Sequence, residues 1–179
     1  MGVAPASLVC DSERSQMGGE LKHKIAGGNM QDTRFAEILL VEDNAGDVRL
    51  TLEAFKEGKL ANNVNVASNG VEAMDYLYRR GKHANAVRPD LILLDLNMPK
   101  KDGREVLQEV KNDPHLRTIP VVVLTTSAAE TDILKSYDLH VNCYIQKPVD
   151  YEEFLRVLRH IENFWFSAVI LPSRPSLAA

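Results

Sequence analysis

Five short strand-like runs set the frame of this chain: Ile38–Val41, Asn63–Ala67, Leu91–Leu94, Ile119–Leu124 and Val141–Ile145. The unbroken apolar ones, Leu91–Leu94 above all, mark strands buried on both faces, the habit of parallel sheets, while Asn63–Ala67 is a short strand with a weak signal. Between and after them, apolar residues recur at helical spacing. Val48, Leu52 and Phe55 form one such stripe, and Val71, Met74, Leu77 and Tyr78 the next. Val106, Leu107 and Val110 come third, then a fourth helix over about Ala129 to Tyr137, then Phe154, Leu158, Ile161 and Trp165. Strand and helix alternate five times with no internal repeat. The pattern predicts an α/β fold, a doubly wound five-stranded parallel sheet with helices on both faces and right-handed crossovers. The common strand order for such a sheet is 2-1-3-4-5.

Local punctuation agrees with this division. Gly58 stops the first helix, Asn69-Gly70 and Asp102-Gly103 turn into the next two, and Asp150 with Glu153 forms a capping box for the last. Arg79–Arg88 reads as a polar insert, either a surface loop or an extended helix end. Met1 to about Arg34 carries two Gly-Gly pairs and little periodicity, and reads as a disordered leader. Residues 167–179 read as a C-terminal extension.

Composition narrows the function classes. The formal charge of -4 argues against nucleic acid as the main partner. No apolar stretch is long enough to cross a bilayer, and no secretory signal pattern opens the chain. Cys10 and Cys143 lack metal-ligand spacing and do not suggest a disulfide framework, so a reducing cytoplasm is the natural compartment. The five histidines read as surface or packing residues, since none ends a strand or has ligand spacing.

The chemistry lies just past the ends of four of these runs. Glu42 and Asp43 close the first, Asp95 the third, Thr125 the fourth and Lys147 the fifth. In a parallel sheet these ends point one way, and open α/β sheets place their sites there. Three carboxylates that close repel one another unless a cation offsets them. Oxygen ligands of this kind suit Mg²⁺. Asp43 and Asp95 are the expected direct ligands, Glu42 acts through a water, and the backbone carbonyl of Asn97 completes the protein's share. A carboxylate can also serve as nucleophile toward phosphorus. Lys147 would then supply a point charge to the phosphoryl oxygens, and the Thr125 hydroxyl a hydrogen bond. Thr126 is equally consistent with plain strand preference.

The chain resembles the receiver domain of two-component response regulators. The resemblance rests on Leu-Val-Glu-Asp-Asn at 40–44, Leu-Leu-Asp-Leu-Asn-Met-Pro at 93–99 with Asp102-Gly103, Val-Leu-Thr-Thr at 123–126 and Tyr-Ile-Gln-Lys-Pro at 144–148. It covers about Phe35 to Trp165 and sets a receiver domain at 35–166. It implies a signalling protein that accepts a phosphoryl group from a sensor histidine kinase onto Asp95. It also implies Glu42 and Asp43 as the acidic pair, Thr125 and Lys147 as the switch pair and Tyr144 as the aromatic that moves on activation. Asn97 and Ser127 match positions that tune loss of the phosphoryl group. From the residues alone, Tyr144 is either that switch or a filler aromatic.

More narrowly, the stretches 41–52 and 136–145, the insert and Asn-Phe-Trp at 163–165 are similar to single-domain regulators that serve phytochromes. That resemblance implies a phytochrome-type kinase as partner and a homodimer through the fourth helix, fifth strand and fifth helix. The apolar residues Val157, Phe164, Phe166, Ala168, Val169, Ile170 and Leu171 exceed what one buried helix face needs, which points the same way. The competing expectation is that the segment after Trp165 folds back on its own domain. Two other functions fit the fold class. A Mg²⁺-dependent aspartate-nucleophile phosphatase would need a second acid near Asp95, where Asn97 stands. A flavodoxin-like binder would need a phosphate loop after the first strand, where Glu42-Asp43 stands.

Overall fold

The computed structural model describes residues 35–58, 62–126, 140–169 and 171. The predicted leader, the predicted fourth helix, Ser127 and most of the extension lie outside those residues. The elements are β1 (Ala36–Val41), α1 (Ala45–Glu57), β2 (Asn62–Ala67), α2 (Gly70–Leu77), β3 (Leu91–Asp95), α3 (Gly103–Asn112), β4 (Val121–Thr125), β5 (Cys143–Gln146) and α4 (Tyr151–Asn163). A single π-helical turn, Phe164–Ala168, extends α4. The strands form one parallel sheet in the order β2-β1-β3-β4-β5, as the alternation predicts.

Strand alternation divides the core into two layers. Leu39, Val41, Ile92, Leu94, Val121 and Val123 face α2 and α3, where Ala73, Met74, Val106, Leu107 and Val110 meet them. Ile38, Leu40, Leu91, Leu93, Val122 and Leu124 face α1 and α4, against Ala54, Phe55, Phe154, Leu158 and Ile161. The central strands are buried on both faces, which is why they read as unbroken apolar runs.

Several boundaries differ from the sequence expectation. β5 spans Cys143–Gln146 rather than Val141–Ile145. Its entry is set by Asn142, whose side-chain carbonyl accepts the Val121 N–H at 2.9 Å and the Lys111 ammonium at 2.9 Å. β4 starts at Val121 rather than Ile119, because the backbone before it turns: Ile119 N–H donates to Leu116 O. Leu52 and Val71, expected inward, are exposed. Their helices present smaller residues or different ones to the sheet: Thr51 and Ala54 on α1, Ala73 and Tyr76 on α2. Thr51 is tolerated inside because its hydroxyl donates to Asp47 O at 2.8 Å.

The insert is a loop with one 3₁₀ turn, Gly81–His83. Tyr76 donates its hydroxyl to Val87 O at 3.0 Å, and Arg88 donates to His115 O and Thr118 Oγ1, so the loop is tied to both neighbours. On α4, Phe154, Leu158, Ile161 and Trp165 are all buried as expected. The second stripe is largely used by the same domain: Val157, Phe166, Val169 and Leu171 pack partly buried against the α1–α4 core. Among the described residues of that group, Phe164 is the large one left exposed.

Candidate functional site

Strand order brings the carboxyl ends of β1, β3, β4 and β5 side by side. Asp95 is the last residue of β3, and its neighbour across β4 is Leu124, so Thr125 stands one residue beyond that pair. The turn after β3 is held close. The Gly103 N–H donates to Leu96 O at 3.0 Å, and a Cβ at Gly103 would lie 2.1 Å from Asp95 O and 2.6 Å from Leu96 Cα. Glycine is therefore required where α3 abuts the end of β3. Asp102 and Glu105 then cap α3 reciprocally.

One oxygen each from Glu42, Asp43 and Asp95 lies within 4.8 Å of the others. Glu42 and Asp95 are buried, while Asp43 opens to solvent. Lys147 joins them from the β5 end. Its ammonium donates to Glu42 Oε2 at 2.5 Å, Asp95 Oδ2 at 2.8 Å and Asp47 Oδ2 at 3.0 Å. The Lys147 backbone N–H donates to Thr125 O at 2.7 Å, which joins the β4 and β5 ends. The other Asp95 oxygen accepts the Asn97 N–H at 3.1 Å. Glu42 Oε1 accepts the Asn44 N–H at 3.1 Å, and Asn44 in turn caps α1.

The electrostatics arise from burial and pairing. Desolvation pushes the Glu42 carboxyl up to about 7, against the lowering effect of the Lys147 hydrogen bond and charge. Burial alone would lower Lys147, but the hydrogen bonds to Asp95 and Glu42 outweigh it and hold the ammonium above its ordinary range. Three carboxyl groups, Glu42, Asp47 and Asp95, thus hold one ammonium, with Asp43 beside Glu42 and Asp95.

The sequence-predicted residues come together with one exception. Glu42, Asp43, Asp95, Asn97, Thr125 and Lys147 share the carboxyl edge. Tyr144 lies farther back on β5, paired with Val123, and its half-buried ring packs against the α2–α3 core, which raises its hydroxyl pKa by burial. Asp47 was missed by sequence reasoning. Its signal was readable, because it stands one helical turn past Asp43 on a helix that starts at the site. The described histidines agree with their expected roles. His83 packs edge-on against Tyr76 with its Nε2 3.6 Å from Glu72, and His115, His140 and His160 are exposed.

Oxygen donors of this type, two of them buried and one open to water, fit a hard divalent cation that retains part of its water shell. An ammonium poised on Asp95 adds a charge for a phosphoryl oxygen.

The chain is similar to known proteins. The family described as the response regulator receiver domain matches residues 38–159. Response regulator Rcp1 of Synechocystis sp. is 48% identical over 136 residues, spanning 76% of this chain and 92% of Rcp1. The crystal structure of the phosphorylated cyanobacterial phytochrome response regulator RcpA has a TM-score of 0.74 at 54% identity, covering 78% of this chain and 100% of RcpA. The Mn²⁺-bound form of Rcp1 has a TM-score of 0.73 at 48% identity, covering 77% of this chain and 99% of that one. The chain therefore belongs to the response regulator receiver domain family, whose members bind a divalent metal and pair with sensor histidine kinases.

Proposed function

We propose that this protein accepts a phosphoryl group from a phytochrome-type sensor histidine kinase onto Asp95. The observation that carries the reading is the Asp95 carboxylate, buried at the end of β3 and bonded to Lys147 at 2.8 Å beside the acidic pair. An Asp95 oxygen attacks phosphorus as the P–N bond of the donor phosphohistidine breaks. The electron pair of that bond stays on the imidazole nitrogen. Lys147 moves with the charge onto the phosphoryl oxygens, and the Thr125 hydroxyl donates to them. Asp43, Asp95 and the Asn97 carbonyl are the proposed Mg²⁺ ligands, with Glu42 acting through a water. Bound there, Mg²⁺ neutralises and aligns the transferring group.

The protein is read as a signalling receiver that catalyses only its own phosphotransfer and dephosphorylation. Thr125 and Tyr144 form the proposed switch, a two-state element biased by added charge. Residues 35–166 are its functional unit, residues 1–34 a leader and 167–179 an extension. Among the described residues no helix is long and apolar enough to cross a membrane, and a cytoplasmic site of action is proposed with a protein partner rather than nucleic acid. The phytochrome link is supported by RcpA, itself a phytochrome response regulator. A homodimer through the helix expected at about 129–137, β5 and α4 is supported by the resemblance and by exposed Phe164.

The test is labelling. Wild-type protein takes phosphate from acetyl phosphate or a phytochrome kinase in the presence of Mg²⁺, and Asp95→Asn takes none. Normal labelling of Asp95→Asn removes the assignment.

A further inference from the structure

A lysine ammonium has three N–H donors and no acceptor. In Lys147 all three are engaged, by Glu42, Asp95 and Asp47. The longest of these bonds, 3.0 Å, goes to Asp47, whose side chain is 31% exposed against 2% for Glu42 and 10% for Asp95. Asp47 sits in the first turn of α1. Its N–H donates to the Asn44 side chain and its carbonyl accepts the hydroxyl of buried Thr51, so its backbone is held. An acid in a first turn ordinarily complements the helix dipole. That role sets no particular side-chain direction, whereas Asp47 reaches a partner 100 residues away in sequence.

We propose that Asp47 is a positioning residue for phosphoryl acceptance, holding the Lys147 ammonium between transfers and releasing it to the incoming phosphoryl oxygens. The proposal rests on Asp95 as the acceptor. A phosphoryl group on Asp95 needs a Lys147 proton, and one existing bond must open to supply it. The Asp47 bond is the longest, and its carboxylate is the one that water can re-solvate at once. Asp47 also lies no farther from Asp95 Oδ2 than two hydrogen bonds laid end to end. Its charge therefore attracts a divalent cation and repels a phosphoryl group. Removing it acts with opposite signs on metal binding and on phosphoryl acceptance, which a purely structural residue does not do.

The experiment compares wild type, Asp47→Ala, Asp47→Asn and Glu53→Ala in the full chain. Glu53 is an exposed α1 acid paired with Arg49 and serves as the charge control. Mg²⁺ affinity is measured by calorimetry, and labelling by acetyl phosphate at saturating Mg²⁺. In the labelling step the Asp95 oxygen–phosphorus bond forms as the bond from phosphorus to the acetate oxygen breaks, its electron pair leaving on acetate. Both Asp47 variants are expected to bind Mg²⁺ about fivefold more weakly and to label faster by a similar factor, the scale of a partly exposed ion pair, while Glu53→Ala changes neither. If Asp47→Ala does not fold, the isosteric Asp47→Asn carries the comparison. Unchanged values, or affinity and rate falling together, overturn the role of Asp47 while leaving Asp95 in place. A wild type that takes no label on Asp95 overturns the acceptor assignment, and this proposal with it.

Discussion

Thr125 shows how much rests on single side chains at the site. It is fully buried at the end of β4, and its carbonyl holds the Lys147 N–H, so the backbone there is fixed whether or not the hydroxyl is used. Thr125→Ala should consequently keep the fold and accept phosphate. It should lose the pull that a phosphoryl group exerts through the hydroxyl, and the phosphorylation-dependent change in amide exchange along Cys143–Gln146 should shrink. Identical exchange changes in mutant and wild type argue against the coupling to Tyr144. The residues at the strand ends were legible in sequence, because each lies within two residues of the end of a strand-like run and a parallel sheet turns such positions into neighbours. Asp47 offered only its spacing, one turn past Asp43, and its contact with Lys147 depends on the direction of one side chain across the gap between α1 and the β5 end.

Among the elements, the insert between α2 and β3 carries its own electrostatics. Glu72 accepts the Lys82 ammonium at 2.5 Å and both the hydroxyl and the N–H of Ser68. The Lys82 bond first, and the Ser68 bonds after it, pull its carboxyl down to about 2. A carboxyl held below its unfolded value contributes stability above about pH 4.5, and that contribution is lost as the pH falls toward 2. The effect is modest, since the Lys82 side chain is 73% exposed. Urea unfolding at about pH 6 and about pH 3 should show a larger loss for wild type than for Glu72→Gln, because only the wild type has this proton to take up. Equal losses count against the pairing. The sequence left open whether 79–88 was loop or helix. Tyr76, Arg88 and Glu72 decided for a loop, through bonds to partners that periodicity does not reveal.

For the whole molecule, the open matter is the face of α4 and the chain beyond it. The surplus of apolar residues there suggested a dimer, yet Val157, Phe166, Val169 and Leu171 lie against the domain's own core. Among the described residues of that group, Phe164, 38% exposed and edge-on to Trp165 at 5.4 Å, is the large one open to a partner. Phe164→Glu alone is therefore the clean probe, because changing Phe166 also disturbs the core. Light scattering should find a wild-type dimer whose dissociation constant rises roughly tenfold or more in Phe164→Glu, the scale of a central aromatic anchor. A wild type that is monomeric at all micromolar concentrations, phosphorylated or not, ends the dimer proposal.

The sequence alone determined the strands, their alternation with helices and the convergence of Glu42, Asp43, Asp95, Thr125 and Lys147. These come from local rules: burial on two faces makes an apolar run, and parallel pairing aligns its ends. Tertiary structure decided what depends on rotation and reach. It set which face of α1 and α2 turned inward, leaving Leu52 and Val71 outside. It shortened β5 through the Asn142 side chain and brought Asp47 onto Lys147. It also laid Phe166, Val169 and Leu171 against the domain's own core. Each of these is a competition between partners distant in the chain, and sequence spacing carries no term for which of two apolar or acidic residues arrives first.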